Sequence, residues 1–153
     1  MAVIRVYADT SVFGGVFDEE FDIASRLFFD QVKSGRFNLV TSALVHGELA
    51  SAPTQVQDFF AGLLDLMDVV DISEAALELR EAYLEAGVVS SQWGEDALHV
   101  ALSTIAGCSL IVSWNFKHIV HFEKIPLYNA VNTRKGYPSI GIFSPLEVVQ
   151  YES

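Results

Sequence analysis

The N-terminal run Ala2-Val3-Ile4-Arg5-Val6-Tyr7-Ala8 is almost unbroken in apolar and β-prone residues and stops at Asp9. An apolar stretch of this length without polar alternation is the pattern of a strand covered on both faces in a parallel sheet. Residues 19–33 then place Ile23, Leu27 and Phe28 on one side of a helix. Phe37 to Thr41 reads as a short strand, followed by a helix beginning near Ser42. Thr54 and Gln57, just after Pro53, form a capping-box pattern that opens a helix through about Leu66. Met67 to Ile72 is a further strand, after which Ser73 caps another helix. A helix from about Gln92 to Ala106 has Gly107 well placed to end it. Leu110 to Trp114 resembles a second buried strand, and Ile140 to Phe143 a weaker one. Ser144-Pro145-Leu146-Glu147 carries a cap, an N1 proline and a capping-box glutamate, the start of a last helix.

This alternation predicts an α/β fold of three layers, helix–sheet–helix, with a central, mostly parallel sheet and right-handed crossovers. The 153 residues suit a single domain spanning 1–153, since domains cluster near about 100–150 residues, and no repeat or linker divides them. No apolar stretch approaches the roughly 20 residues that span a bilayer, and Arg5 and Asp9 interrupt any leader-like segment. One cysteine, Cys108, cannot form an internal bridge, which suits a reducing cytoplasm. The expectation is a cytoplasmic protein with no membrane partner.

The formal charge of −11 speaks against an ordinary electrostatic nucleic-acid binder. Its distribution changes that picture. Residues 1–36 carry a net −2, residues 37–116 a net −10 with Arg80 as their one basic residue, and residues 117–153 a net +1. Part of the central acidity is a helix face of Glu74, Glu78, Glu81 and Glu85, which reads as solvated.

Ligands of such sheets sit beyond the carboxyl ends of the strands, so the residues that follow the strands matter most. Asp9 ends the first strand and precedes Thr10 and Ser11, whose hydroxyls can orient a carboxylate; an aspartate there is also a common helix cap. Glu48 lies in the largely apolar helix after Thr41-Ser42, where a carboxylate is expensive unless paired or bound to a cation. Asp96 stands in the first turn of another apolar helix, favoured in part by the helix dipole. Its neighbour Glu95 points about 100° away, so the two cannot face the same way. Asn115 follows the strand Leu110–Trp114, with His118 three residues later. Three acids and an amide meeting at one sheet edge would repel unless a hard cation joined them, and oxygen donors select Mg²⁺ or Mn²⁺ over zinc. No zinc spacing, HExxH pattern or phosphate loop is present.

The segments Tyr7-Ala8-Asp9-Thr10-Ser11-Val12-Phe13, Thr41-Ser42 through Glu48, Asp96-Ala97-Leu98-His99-Val100-Ala101 and Leu110-Ile111-Val112-Ser113-Trp114-Asn115-Phe116 together resemble the PIN-domain family. The resemblance is to the toxin branch of bacterial and archaeal toxin–antitoxin pairs and runs from residue 3 to about residue 147. It implies Asp9, Glu48 and Asp96 as catalytic acids and metal ligands, with Asn115 as a fourth ligand where many members carry an aspartate. An amide oxygen offers one contact and no charge, so a second ion would be weakly held or absent. Ser11 and Ser113 would orient the ligands from behind. The implied activity is Mg²⁺- or Mn²⁺-dependent hydrolysis of RNA phosphodiesters, with a small antitoxin as partner and a homodimer as the assembly.

The +1 tail would supply the phosphate contacts: Lys117, His118, Lys124, Arg134 and Lys135, with Tyr128 and Tyr137 for stacking. The competing reading is a PIN-like module of weak or no catalysis that binds RNA or a protein, motivated by Asn115 and the acidity. A phosphotransferase with Asp9 as nucleophile would need a second acid two residues on, where Ser11 stands.

Overall fold

The computed structural model describes residues 3–151. Five strands, β1 (Ile4–Ala8), β2 (Phe37–Ser42), β3 (Met67–Val70), β4 (Leu110–Val112) and β5 (Gly141–Phe143), pair in parallel in the order β3-β2-β1-β4-β5. Ala2, with which the expected first strand opens, lies outside the described residues. β1 is central, paired with β2 on one side and β4 on the other. Val6, Tyr7 and Ala8 have no exposed surface, and Tyr7 registers with Val40 on one side and Ile111 on the other.

The helices are α1 (Thr10–Gly15), α2 (Asp22–Lys33), α3 (Ala43–Leu49), α4 (Thr54–Gly62), α5 (Glu74–Glu85), α6 (Gly94–Ile105), α7 (Ile125–Arg134) and α8 (Pro145–Val148). From β1 through β2 to β3 the chain crosses the sheet in one direction, and from β3 through β4 to β5 in the other. Right-handed crossovers then put α1–α4 on one face and α5–α7 on the opposite one. The first face is an aromatic layer in which Phe13 packs on Phe29 and Phe60, and Phe28 on Phe37. On the second, Tyr83 of α5 meets Tyr128 of α7 edge-on. The three-layer α/β/α architecture is thus the one the pattern predicts. Among the described residues no helix is long and apolar enough to cross a membrane.

Several local details differ from the sequence reading. Residues 10–15 form a helix that the pattern alone does not signal; Asp9 caps it by accepting the N–H of Ser11. The helix α7 is likewise unannounced, because one of its buried positions is Asn132, whose Oδ1 accepts the Tyr83 hydroxyl at 2.5 Å. Thr54 and Gln57 do not make a capping box: Pro53 is the N-cap, and the Gln57 amide instead donates to the carbonyls of Leu49 and Ala50, closing the end of α3. The helix expected through Leu66 ends at Gly62 and tightens into a 3₁₀ turn over Leu64–Leu66. Ser73 does cap α5, accepting from Ala76, and Gly107 ends α6 with φ +73°. Glu74, Glu78, Glu81 and Glu85 all face solvent.

The turn from α1 towards α2 is the tightest approach in the fold. A Cβ at Gly15 would lie 2.6 Å from Ser25 Oγ and 2.7 Å from Trp114 Nε1, two atoms that hydrogen-bond to each other at 2.8 Å. Gly15→Ala is expected to lower stability by about 1–3 kcal/mol through overpacking. Gly14→Ala, where a Cβ meets nothing within 4 Å, is expected to be neutral or stabilising. Urea midpoints of the two variants check this contrast.

Candidate functional site

The reversal of crossing direction falls between β1 and β4, and a crevice at the carboxyl ends of strands beside such a reversal is where ligands bind in open α/β sheets. Asp9 ends β1 there, and Ser113 follows β4. Asp9 is 4% exposed, and its carboxylate accepts from Ser11 Oγ at 2.5 Å and from Ser113 Oγ at 2.6 Å. Ser11 Oγ also accepts the Trp114 N–H, so the serine ties the segments after β1 and β4 together. Burial drives the Asp9 pKa above its usual value and the Glu48 charge adds to this, against the opposing effects of His99 and the two serines.

Glu48, on α3, accepts from Thr10 Oγ1 at 2.5 Å and pairs with His99 Nε2 at 2.7 Å. His99 comes from α6 on the other face of the sheet and is 3% exposed. Its Nδ1 meets the Tyr7 hydroxyl at 2.8 Å, and that hydroxyl meets Ser42 Oγ, also at 2.8 Å. Ser42 in turn caps α3 by accepting the Val45 N–H. One hydrogen-bonded chain therefore runs Ser42–Tyr7–His99–Glu48–Thr10 from the cap of α3 back to its glutamate. Burial lowers the His99 pKa, but the hydrogen bond to Glu48 and the charges of Asp9 and Glu48 outweigh it and leave the pKa raised. Burial raises that of Glu48, and the same hydrogen bond, the His99 charge and Thr10 leave it lowered. Both shifts favour the charged forms, and the pairing supplies Glu48 with a partner in the chain itself.

Asp96 is half-buried in the first turn of α6, and its field reaches His99, His118 and Tyr128. Glu95 is exposed and borders the same shallow surface as Glu48, close enough to share a hydrogen bond with it. Asn115 Oδ1 accepts the N–H of His118 at 2.9 Å, closing a turn, so any ion would have to share that oxygen.

His118 stacks on Trp93 with ring centroids 4.3 Å apart, and Lys117 Nζ lies 5.8 Å from the Trp93 centroid. Lys124 Nζ donates to the Val88 carbonyl. Arg134 and Lys135 lie at the far end of α7, about 15 Å along the helix from Lys124, and are not gathered with the acids. Tyr128 is fully buried with its hydroxyl on the His118 carbonyl, so it offers no stacking face. Sequence reasoning names Thr10 as an orienter of a carboxylate and Glu95 as the neighbour turned away from Asp96, but leaves His99 and Trp93 without a role. Only the apolar run around His99 signalled that its ring would need a partner.

Whether these residues fit a metal ion rests on their donors and spacing. The donor set of Asp9, Glu48 and Asp96 is all oxygen, which suits a hard divalent cation, and the buried Asp9 carboxylate gains from any positive charge placed beside it. The arrangement is not a finished cage: among the described residues no group of three or more His, Cys, Asp or Glu side chains is disposed to hold an ion.

The sequence matches no family model and no curated protein. The fold matches solved structures. VapBC2 from Rickettsia felis, bound to a DNA fragment from its promoter, superposes with a TM-score of 0.57 at 18% identity, over 81% of this chain and 95% of that one. VapC20 of Mycobacterium tuberculosis, described as a sarcin–ricin loop cleaving toxin, gives 0.51 at 14% identity, over 88% of this chain and 98% of that one. At these identities the likeness is one of fold alone, the PIN-like three-layer α/β/α fold.

The pairing of Glu48 with His99 sets a pH dependence. His99 has a folded pKa above its usual 6.5, so its stabilisation is complete below that value and lost as pH rises through the folded one. Glu48, lowered from 4.5, contributes above that value and loses its contribution as pH falls through its folded pKa. Asp9, raised from 3.8, acts in the opposite sense, since its ionisation opposes folding as pH rises. The melting temperature is therefore expected to fall as pH rises from 6.5 through the raised His99 pKa, and His99→Gln to flatten that limb. Thermal melts of both proteins from mildly acidic to alkaline pH check it.

Proposed function

We propose that the chain is a metal-dependent endoribonuclease that hydrolyses RNA phosphodiester bonds, the toxin of a toxin–antitoxin pair whose other member is a small antitoxin protein. One observation carries this reading. Asp9 and Glu48, 39 residues apart in the sequence, are held against their own burial beside the reversal point of a toxin-like PIN fold, with Asp96 on the adjoining helix end. Buried carboxylates so supported are a feature of chemistry rather than of stability. The name of the Mycobacterium neighbour, a toxin that cleaves an RNA loop, and the paired VapB–VapC composition of the Rickettsia one support the substrate and the partner.

Asp9, Glu48 and Asp96 would hold Mg²⁺ or Mn²⁺, which when bound supplies Lewis acidity towards the phosphate and a water of lowered pKa. The chain's own contribution is positional. Ser11 and Ser113 hold both oxygens of Asp9, and Thr10 with His99 fixes one oxygen of Glu48 and leaves the other to turn outward. Such partners fix the ligands' orientation and typically weigh about 10–100-fold in metal affinity or activity.

A second reading has its own observation. Asn115 brings no charge and spends its oxygen on the His118 turn, and the acids stand apart, which favours a PIN-like module that binds RNA or a protein with little catalysis. Purified protein incubated with RNA and Mg²⁺ or Mn²⁺ separates the two. The expected result is metal-dependent cleavage that falls by roughly two orders of magnitude or more in Asp9→Asn and Asp96→Asn, the scale of losing one charge-stabilising group. Either ion is also expected to raise the melting temperature of the unaltered protein by binding linkage. Folded protein that cuts no RNA with either ion leaves the binding module.

A further inference from the structure

Trp93 is 37% exposed, in the short turn (Ser91–Trp93) that precedes α6 and three residues before Asp96. It borders an open cleft of about 650 Å³ that also takes in Arg80, Leu84, Gln92 and Asp96. No feature of the fold requires a large indole there. The aromatic layers of the core lie elsewhere, and Trp93 packs on no buried aromatic ring but on the half-buried imidazole of His118, with the planes 23° apart.

Three features make this surface suited to a flat, anionic guest. The indole is held rather than loose: His118 backs it, and both imidazole nitrogens are hidden from solvent without a hydrogen-bond partner. A ring immobilised before binding loses little freedom when a second ring stacks on it. Two cations stand beside it, on a cleft that also carries the carboxylates of Glu81, Glu95 and Asp96. Arg80 is the one basic residue between positions 37 and 116, a stretch of net −10, and it stands on this cleft, its guanidinium engaged by the adjacent Glu81. The next basic residue in the chain, Lys117, reaches the same indole. Arg80, inside the acidic stretch, and Lys117, just after it, thus both stand beside one exposed aromatic. Finally, Asp96 borders the cleft, so a guest on Trp93 lies within about one helical turn of a proposed catalytic acid.

We propose that Trp93 is the stacking platform for an unpaired nucleobase of single-stranded RNA, with Arg80 and Lys117 taking the phosphates on either side of that nucleotide. The proposal rests on the ribonuclease reading and gives it a subsite: one base is drawn out of the strand and held beside Asp96, which sets the register of the backbone against the acids. Stacking on an aromatic face tolerates any base, and the flanking cations add the backbone's charge.

The test uses a short single-stranded 2′-O-methyl RNA, which binds but resists cleavage, and the same strand made abasic throughout. Binding is followed by anisotropy of a labelled strand and by tryptophan fluorescence. Trp93→Ala is expected to weaken binding of the intact strand by roughly five- to a hundredfold, the range for one lost base stack, and to leave the weaker binding of the abasic strand unchanged. Trp93→Phe is expected to keep most of the affinity while abolishing the quenching that the unaltered protein shows, since the remaining Trp114 is buried. Equal affinity of Trp93→Ala and unaltered protein for the intact strand would overturn the proposal. So would an equal loss for both strands, or no binding of the intact strand at all. Cleavage assays run in parallel keep the two ideas apart. A protein that cleaves RNA but binds independently of Trp93 loses the platform and keeps the activity. One that binds through Trp93 and cleaves nothing keeps the platform and loses the nuclease.

Discussion

A buried imidazole has to satisfy both of its ring nitrogens, because the interior offers no water to do so. His99 meets this demand with Tyr7 on one side and Glu48 on the other, and each partner belongs to a different layer. Tyr7 sits in the central strand, Glu48 on α3 over one face of the sheet, and His99 on α6 over the other. Removing one member of such a pair leaves a buried charge unpaired, at a cost of about 3–5 kcal/mol. The two helical layers are therefore locked to each other across the carboxyl edge of the sheet. Asp9, Ser11 and Ser113 are arranged inside that lock, so the geometry of the acids depends on a histidine that itself does not face solvent.

Much of the fold is visible in hydrophobic pattern, and the exceptions are instructive. β1 and β4 are continuous apolar runs because both faces are covered, and the serines at positions 42 and 73 mark helix starts by their own hydrogen-bonding capacity. The helices α1 and α7 escape notice for different reasons. The first is six residues long with two glycines, and it exists because Asp9 caps it and Val12 and Phe13 are buried. The second interrupts its apolar stripe with Asn132, a polar side chain that only the Tyr83 hydroxyl from another helix makes tolerable. Sequence reasoning reaches the acids because they end strands or interrupt apolar helices. It does not reach His99, whose meaning lies in two partners 92 and 51 residues away.

The acidity of the chain takes on a sharper meaning in three dimensions. The four glutamates of α5 lie in solvent, and of them Glu81 borders the cleft of Trp93 and Asp96. The carboxylates that matter are those withdrawn from water: burial raises the pKa of both Asp9 and Glu48, yet that of Glu48 ends lowered because only Glu48 is paired directly with the imidazole. Of the positive side chains, Lys124 is committed to a backbone carbonyl and Arg134 and Lys135 stand well along α7.

The strand order also governs when the molecule becomes complete. β1 is synthesised well before its neighbour β4, which begins at Leu110, and Asp9 receives one of its hydrogen bonds from Ser113, 104 residues later. Parallel pairings of such long sequence separation form slowly, because the intervening chain must be ordered before the contact repays it. A nascent chain that has produced Asp9, Glu48 and even Asp96 still lacks the strand and the serine that hold the first of these acids in place. The centre is consequently assembled only after Ser113 has been made, and a chain terminated before it carries its acids without their geometry.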